Sequence, residues 1–453
     1  MQKKHNIPLA DILFLFGLGF LPLDSAPFFP VGTQNRPIAF VFFLSFLFIH
    51  LTFRQKLSRA GVKFTLAFLG ISVYNLIVYF TNGFYEFPEV LVKTAVVTPV
   101  AFVMGLAAIE FFHKNAVRGN MENLLNQIAR AFLISFVIIL PVIVIQGLAR
   151  LELLDSNFVT TVTSRFSYRS VPDRIQGVSG ETAQSLRYLF LFAIFFLYGL
   201  KKGIGRCIAL LILVITALSG SVFGIAFLFV VVLVHFSIFI FPRFDFRKFA
   251  ELIVFTFVVL ALGQMLFLEF ANEYTLNKVR LLSGILSNVE NFGFELASAG
   301  DGSTFLRLMN PVIGWYIFID SNYTGVGAHA YHIPYIAIVS EYYPYALNFD
   351  AINSVAIGES YMTAKSMVAK VLAEFGVIGA TLTLFLFYTS YKSLSRYNVL
   401  FPKHERFNKL LFSFFVALFC FTESYIYFPF YMLFAYFLVY LPTNESVSRS
   451  SRV

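Results

Sequence analysis

Charge is scarce in this chain. Of 453 residues, 13% are charged and 58% hydrophobic, against roughly 25% charge in a soluble globular protein. That balance excludes a soluble domain carrying a single anchor. Cysteine is nearly missing: Cys207 and Cys420 lie far apart and form no metal or disulfide pattern. The first apolar run lacks a small-residue cleavage site, so it reads as a retained helix and not a removed signal peptide. No internal repeat is visible, nor the pair of interrupted helices that points to a secondary transporter. Charges inside the apolar runs are few. Lys93, Glu110 and Lys370 fall near predicted ends, Glu374 lies deeper, and Glu423 sits near an outer edge. A proton relay needs several such groups within the membrane, which weakens a pump or antiporter reading.

Apolar runs long enough for a ~30 Å hydrocarbon core recur from end to end. The 59 Phe suit lipid-facing and core positions. The formal charge of +9 falls mostly in short linkers of alternate polarity, which the positive-inside rule explains better than nucleic-acid binding does. Five spans are expected within 1–149, near 7–22, 37–53, 61–80, 90–112 and 131–149. Basic linkers at 54–59 and 113–130 face inward, and the acidic 81–89 faces outward. A polar stretch at 150–185 forms a first outer loop. Four more spans follow within 186–268, near 186–200, 207–219, 222–241 and 249–268. The longest polar segment, 269–366, forms a second outer loop. Three final spans lie within 367–441, near 367–390, 409–423 and 427–441, and 442–453 is a polar inner tail. The expectation is an all-α polytopic membrane protein with about twelve spans and two large outer loops.

Chemistry is expected in those loops. The first carries Arg165, Arg169, Arg174 and Arg187 with Asp173 and Glu181. Long loops tolerate such charge. Alternatively, the planar guanidinium fork fits phosphate oxygens and the arginines form an anion site. Glu181, just before an apolar helix, is either an acid favoured at a helix N-terminus or a general base at the membrane surface. The second loop holds Arg280, Arg307 and the run GVGAHAYH with His329 and His332. Two histidines without a third ligand make a weak metal site; a base, a hydrogen-bonding group or a plain surface residue are the other readings. Eight tyrosines, Tyr316, Tyr323, Tyr331, Tyr335, Tyr342, Tyr343, Tyr345 and Tyr361, fit an interfacial belt or a groove that stacks on sugar rings. Cations, aromatics and carboxylates on an outer face suggest a lipid-linked sugar.

Three segments resemble the bacterial O-antigen polymerase and ligase superfamily, membrane glycosyltransferases of the GT-C type. GVSGETAQS (177–185) is similar to the family's Gly-x-x-x-Glu-Pro-Ser segment, with Thr182 in place of Pro. ITALSGSVFGIAFLF (215–229) is similar to its Ser-Arg-x-Gly hairpin, with Gly220 where Arg is common. LAEFGVIGATL (372–382) resembles its closing helix, Ala-Glu-x-Gly-x-x-Gly. The ligase's His-x-His-Asn element is not found before Glu374, where Thr363, Lys365 and Ser366 stand instead. The resemblance therefore favours the Wzy-type polymerase over the ligase.

That resemblance implies a GT-C-like layout with periplasmic loops in the bacterial inner membrane. It implies transfer of a growing glycan from undecaprenyl pyrophosphate onto a lipid-linked repeat unit, for O-antigen, capsule or exopolysaccharide. It implies no metal or other cofactor. Arg280 and Arg307, then Arg174, Arg187 and Lys365, are the candidate pyrophosphate contacts. Glu181 is the candidate base, with His329 its rival, and Tyr323 and Tyr331 are candidate sugar contacts. The expected partners are lipid-linked glycans, membrane lipid and a chain-length regulator protein, with no nucleic acid. A ligase, or a flippase for lipid-linked oligosaccharides, are the alternatives.

Overall fold

A computed structural model describes residues 8–23, 38–54, 56–83, 87–119, 121–164, 175, 177, 182–219, 221–240, 302–358, 362–422 and 424–450. Every regular element among these is helical. The first nine helices are α1 (Leu9–Gly19), α2 (Ala39–Arg54), α3 (Arg59–Thr81), α4 (Pro88–Arg118), α5 (Met121–Arg150), α6 (Ser156–Thr163), α7 (Thr182–Gly199), α8 (Lys202–Ser219) and α9 (Val222–Ile240). After residue 301 come α10 (Gly302–Asp320), α11 (His332–Tyr342), α12 (Asp350–Ala356), α13 (Met367–Leu400) and α14 (Glu405–Phe421). A last rod runs from α15 (Phe428–Ala435) through a π-helical turn (Tyr436–Tyr440) into α16 (Leu441–Ser450).

Local chemistry sets the ends. Ser58 caps α3 by accepting the Gly61 N–H at 3.0 Å, which satisfies one of the orphan donors of the first turn. α4 opens on Pro88, whose missing N–H costs nothing there, and stops at Gly119 with φ +71°. Hydroxyls on exposed apolar helices bond their own backbone. Thr52 donates to Phe48 O (2.7 Å) and Ser72 to Phe68 O (2.9 Å), so these two hydroxyl hydrogens are satisfied within their own helices.

Six helices among the described residues are long and apolar enough to cross a membrane: α3, α4, α5, α7, α8 and α13. The chain is a multi-pass membrane protein. The expected twelve-span, GT-C-like layout is corrected by this count. Apolar runs proved a poor measure of span length, because several fold into pieces too short to cross. α1 has 11 residues, about 16 Å at 1.5 Å per residue, and α14 has 17 with Glu405, Arg406 and Lys409 in its first turns. The expected last span forms the continuous rod from α15 to α16, whose separate helical pieces have 8, 5 and 10 residues. The expected span at 249–268 lies outside the described residues.

Phenylalanine builds the centre of the bundle. Phe14 of α1 stacks on Phe111 of α4 (ring centroids 3.9 Å apart), and Phe43 of α2 stacks on Phe428 of α15 (4.0 Å). All four rings are buried, and such pairs add about 0.5–1.5 kcal/mol beyond the area they cover. Two buried carboxylates lock the basic C-terminal end of α4. Asp11 receives Lys114 Nζ at 2.6 Å and Arg118 at 3.0 Å. Glu110 accepts the Ser58 N–H (2.9 Å) and hydroxyl (2.8 Å) and lies 3.3 Å from His50 Nε2. The polar residues of the candidate site gather at the opposite end of α4.

Candidate functional site

The site is built around a break in α13. Gly376 sits inside this helix at φ +58°, ψ −144°. A break leaves backbone groups without intrahelical partners, and buried ones must be satisfied elsewhere. A single short segment does so. Val326 N–H donates to Ala373 O (2.9 Å), Gly327 N–H to Glu374 O (2.8 Å), and Val377 N–H to Tyr323 O (2.9 Å). The approach is as close as backbones allow. A Cβ on Gly376 would lie 2.6 Å from Thr324 O, and one on Gly325 (φ +81°) would lie 2.6 Å from Glu374 O. Glycine is required at both positions.

The other side of this segment rests on α3 and α4. Asn75 Oδ1 accepts the Ala328 N–H, and the Tyr74 hydroxyl donates to Thr324 O at 2.8 Å. Asn82 Nδ2 donates to Gly325 O (3.2 Å) and Thr94 Oγ1 to Ala328 O (3.3 Å). Asn322, Tyr323 and His329 all take positive φ without being glycine. Each such residue stores of order 1–3 kcal/mol and persists only where its surroundings over-determine it.

Beneath the segment lies a cluster of ionisable groups. Glu374 is 1% exposed. Its Oε2 accepts the Tyr425 hydroxyl at 2.5 Å, while its Oε1 has no hydrogen-bond partner. A buried polar atom left in that state costs about 1–3 kcal/mol, more if charged. Lys370, one turn earlier on α13, places Nζ 4.1 Å from the Tyr425 ring centroid, a cation–π geometry. The imidazole of His329 meets the same ring edge-on at 5.5 Å. Burial, followed by Lys370, Lys93 and His332, holds His329 well below the usual imidazole value, so this ring is neutral at pH 7. Burial and then Glu374 push the Tyr425 phenol far up, so it remains a donor. Lys93, from the first turns of α4, contributes positive charge to both His329 and Glu374.

Among the residues singled out from sequence, His329 alone falls in this cluster. Tyr323 borders it: the ring is half exposed and packs edge-on against Phe318 (5.1 Å), while its carbonyl holds the break. Tyr331 lies in the core, with its hydroxyl on Asn310 O at 2.6 Å. Arg187 is engaged along its guanidinium. Nε donates to Ala183 O (3.2 Å), Nη1 to Phe421 O and to Thr422 Oγ1 (2.8 Å), and the group lies over the Tyr427 ring. Arg307 is half-buried on α10, and Lys365 is half-buried at φ +57° just before α13. Arg174, Glu181 and Arg280 lie outside the described residues. His332 opens α11 and points Nδ1 at its neighbour's backbone, His329 O, at 3.1 Å. The two histidines therefore do not share a helix face. No group of three His, Cys, Asp or Glu that could hold a metal ion occurs among the described residues.

Glu374, Lys370, Tyr425 and Lys93 were not singled out as site residues. Sequence carried two signals for them: Glu374 and Gly376 both belong to the Ala-Glu-x-Gly-x-x-Gly stretch, and Lys93, Lys370 and Glu374 are among the few charges in or beside apolar runs. Tyr425 reaches the cluster from the α14–α15 connection, 51 residues away from Glu374, and no spacing in the chain announces that. No protein-family model matches the chain, and no curated protein matches it as a relative.

Proposed function

We propose that this protein is a membrane glycosyltransferase that polymerises oligosaccharide repeat units carried on undecaprenyl pyrophosphate. One observation carries the reading. The stretch resembling the polymerase closing helix is the place where the helix breaks, and Glu374, Lys370, Tyr425 and His329 converge there. Glycosyl transfer from a lipid pyrophosphate needs a proton acceptor for the incoming hydroxyl and positive charge for the departing phosphate. The cluster offers a carboxylate, a neutral imidazole and two lysines. It lies away from the basic C-terminal end of α4, and by the positive-inside rule that orients it toward the periplasm of an inner-membrane protein.

The direct test is reconstitution in proteoliposomes with lipid-linked repeat units. The expected product is a ladder of multi-repeat glycans. Arg307→Ala should abolish the ladder while the thermal transition is kept, because Arg307 is, with Arg280, the pyrophosphate contact that the resemblance implies. An unchanged length distribution in that variant would remove the arginine from the scheme.

A second reading has one observation in its favour: an interrupted helix with buried charge is also how transporters build substrate sites. A null strain separates the possibilities. Loss of a polymerase leaves lipopolysaccharide capped with a single repeat. Loss of a ligase leaves none attached, and loss of a flippase strands repeat units on the inner leaflet.

A further inference from the structure

We infer that Glu374 Oε1 accepts the proton of the attacking sugar hydroxyl. The inference deepens the glycosyl-transfer reading and rests on it. The candidate base taken from sequence was Glu181, with His329 as rival. The geometry points instead to a carboxylate on the broken helix.

Three features carry it. The carboxylate is held by the Tyr425 hydroxyl on Oε2 and faced by the His329 backbone amide, while Oε1 is buried without a hydrogen-bond partner of its own. A polyol acceptor brings the missing group, an O–H. Tyr425 is itself immobilised. Its carbonyl accepts the Tyr431 hydroxyl (2.6 Å), Lys370 lies over one face of its ring, and His329 meets its edge. The orientation of Oε1 is therefore set before substrate arrives, as a catalytic group requires. Finally, the segment 323–329 closes over the carboxylate and is held by the three backbone hydrogen bonds to the break.

The acceptor O–H transfers its proton to Glu374 Oε1 while the acceptor oxygen forms a bond to the anomeric carbon of the lipid-linked donor. The bond from that carbon to the phosphate oxygen breaks, and its electron pair leaves with the lipid pyrophosphate. Glu374 afterwards returns the proton to solvent. The charged and titratable groups facing the carboxylate are Lys370 from its own helix, Lys93 from α4, His329 from the segment above and Tyr425 from the α14–α15 connection.

The experiment measures donor-saturated kcat against pH in proteoliposomes for wild type, Glu374→Gln, His329→Gln and Tyr425→Phe. Binding of a fluorescent lipid-linked acceptor is measured in parallel. Glu374→Gln should lower kcat by roughly 10²- to 10⁴-fold, abolish the acid limb of the profile and leave acceptor affinity within about threefold. His329→Gln should keep the acid limb. Tyr425→Phe removes the donor on Oε2 and should move that limb to higher pH, a readout that stands even if Glu374→Gln does not fold. An intact acid limb in Glu374→Gln, its loss in His329→Gln, or an unmoved limb in Tyr425→Phe would each overturn the assignment. Wild-type protein that extends no glycan at all would instead remove the glycosyl-transfer reading beneath it.

Discussion

Replacing Gly376 with alanine should release the segment that closes the site. Alanine at φ +58°, ψ −144° costs about 1–3 kcal/mol in backbone strain. The new methyl also meets backbone atoms of Tyr323 and Thr324, which cannot rotate away as a side-chain tip could. If 323–329 lets go, three backbone hydrogen bonds are lost, each worth about 1 kcal/mol net. The strain, about 1–3 kcal/mol before the clash is counted, is the penalty that the substitution sets against those hydrogen bonds. Tenfold per 1.4 kcal/mol converts that range to about 5- to 150-fold faster exchange of the Val326, Gly327 and Val377 amides. Hydrogen–deuterium exchange in nanodiscs reads this directly. The chain's single tryptophan, Trp315, lies 5.4 Å from Phe318, which packs on Tyr323, so its emission should shift with the release. Gly325→Ala should behave alike. Gly70→Ala, a helical position with nothing within 4 Å of the new Cβ, should be neutral or stabilising by up to about 1 kcal/mol. Wild-type protection of those three amides in Gly376→Ala would refute the described break.

At the other end of α4, Asp11→Asn leaves Lys114 buried without its carboxylate and should cost about 3–5 kcal/mol, read as a lower thermal transition in detergent. Glu122→Gln, which breaks the exposed pair with Lys403, should leave that transition unmoved. Acid should loosen the segment over the site. Burial holds His329 and His332 below their ordinary value of 6.5, so the undocked state takes up protons first as pH falls. Docking is then at full strength above about pH 6.5 and weakens below it. Trp315 emission followed from pH 7.5 to 5 should show this, and the double variant His329→Gln, His332→Gln should be flatter; equal slopes would dismiss the two imidazoles.

The helices were more legible in the sequence than their interruptions. Apolar runs near 61–80, 90–112 and 367–390 mark α3, α4 and α13, because lipid and core both demand uninterrupted apolar side chains. They understate the length of α4 and α13, whose ends continue through Lys114, Arg118, Lys392 and Arg396. The break at Gly376 was not legible, since glycine is common in membrane helices and only the partner segment 50 residues earlier reveals its φ. Tyr331 shows the same limit. A loop tyrosine beside a histidine suggests a sugar platform, yet its hydroxyl has a carbonyl waiting at Asn310 and its ring belongs to the core. His329 was identifiable as a chemical residue from its type. Its neighbours were not, because Lys93, Tyr425 and Glu374 come from three distant parts of the chain.

Asn75 has to wait for its partner. The backbone amide it accepts from, Ala328, is 253 residues further along the chain, about 13–50 s of synthesis at 5–20 residues per second. Throughout that interval a carboxamide destined for burial sits on a newly inserted helix with nothing of its own to bond. The cluster beside it is therefore among the last parts of the protein to mature, and faults there would surface during biogenesis, as degradation of half-made chains, before any enzymologist could measure a rate.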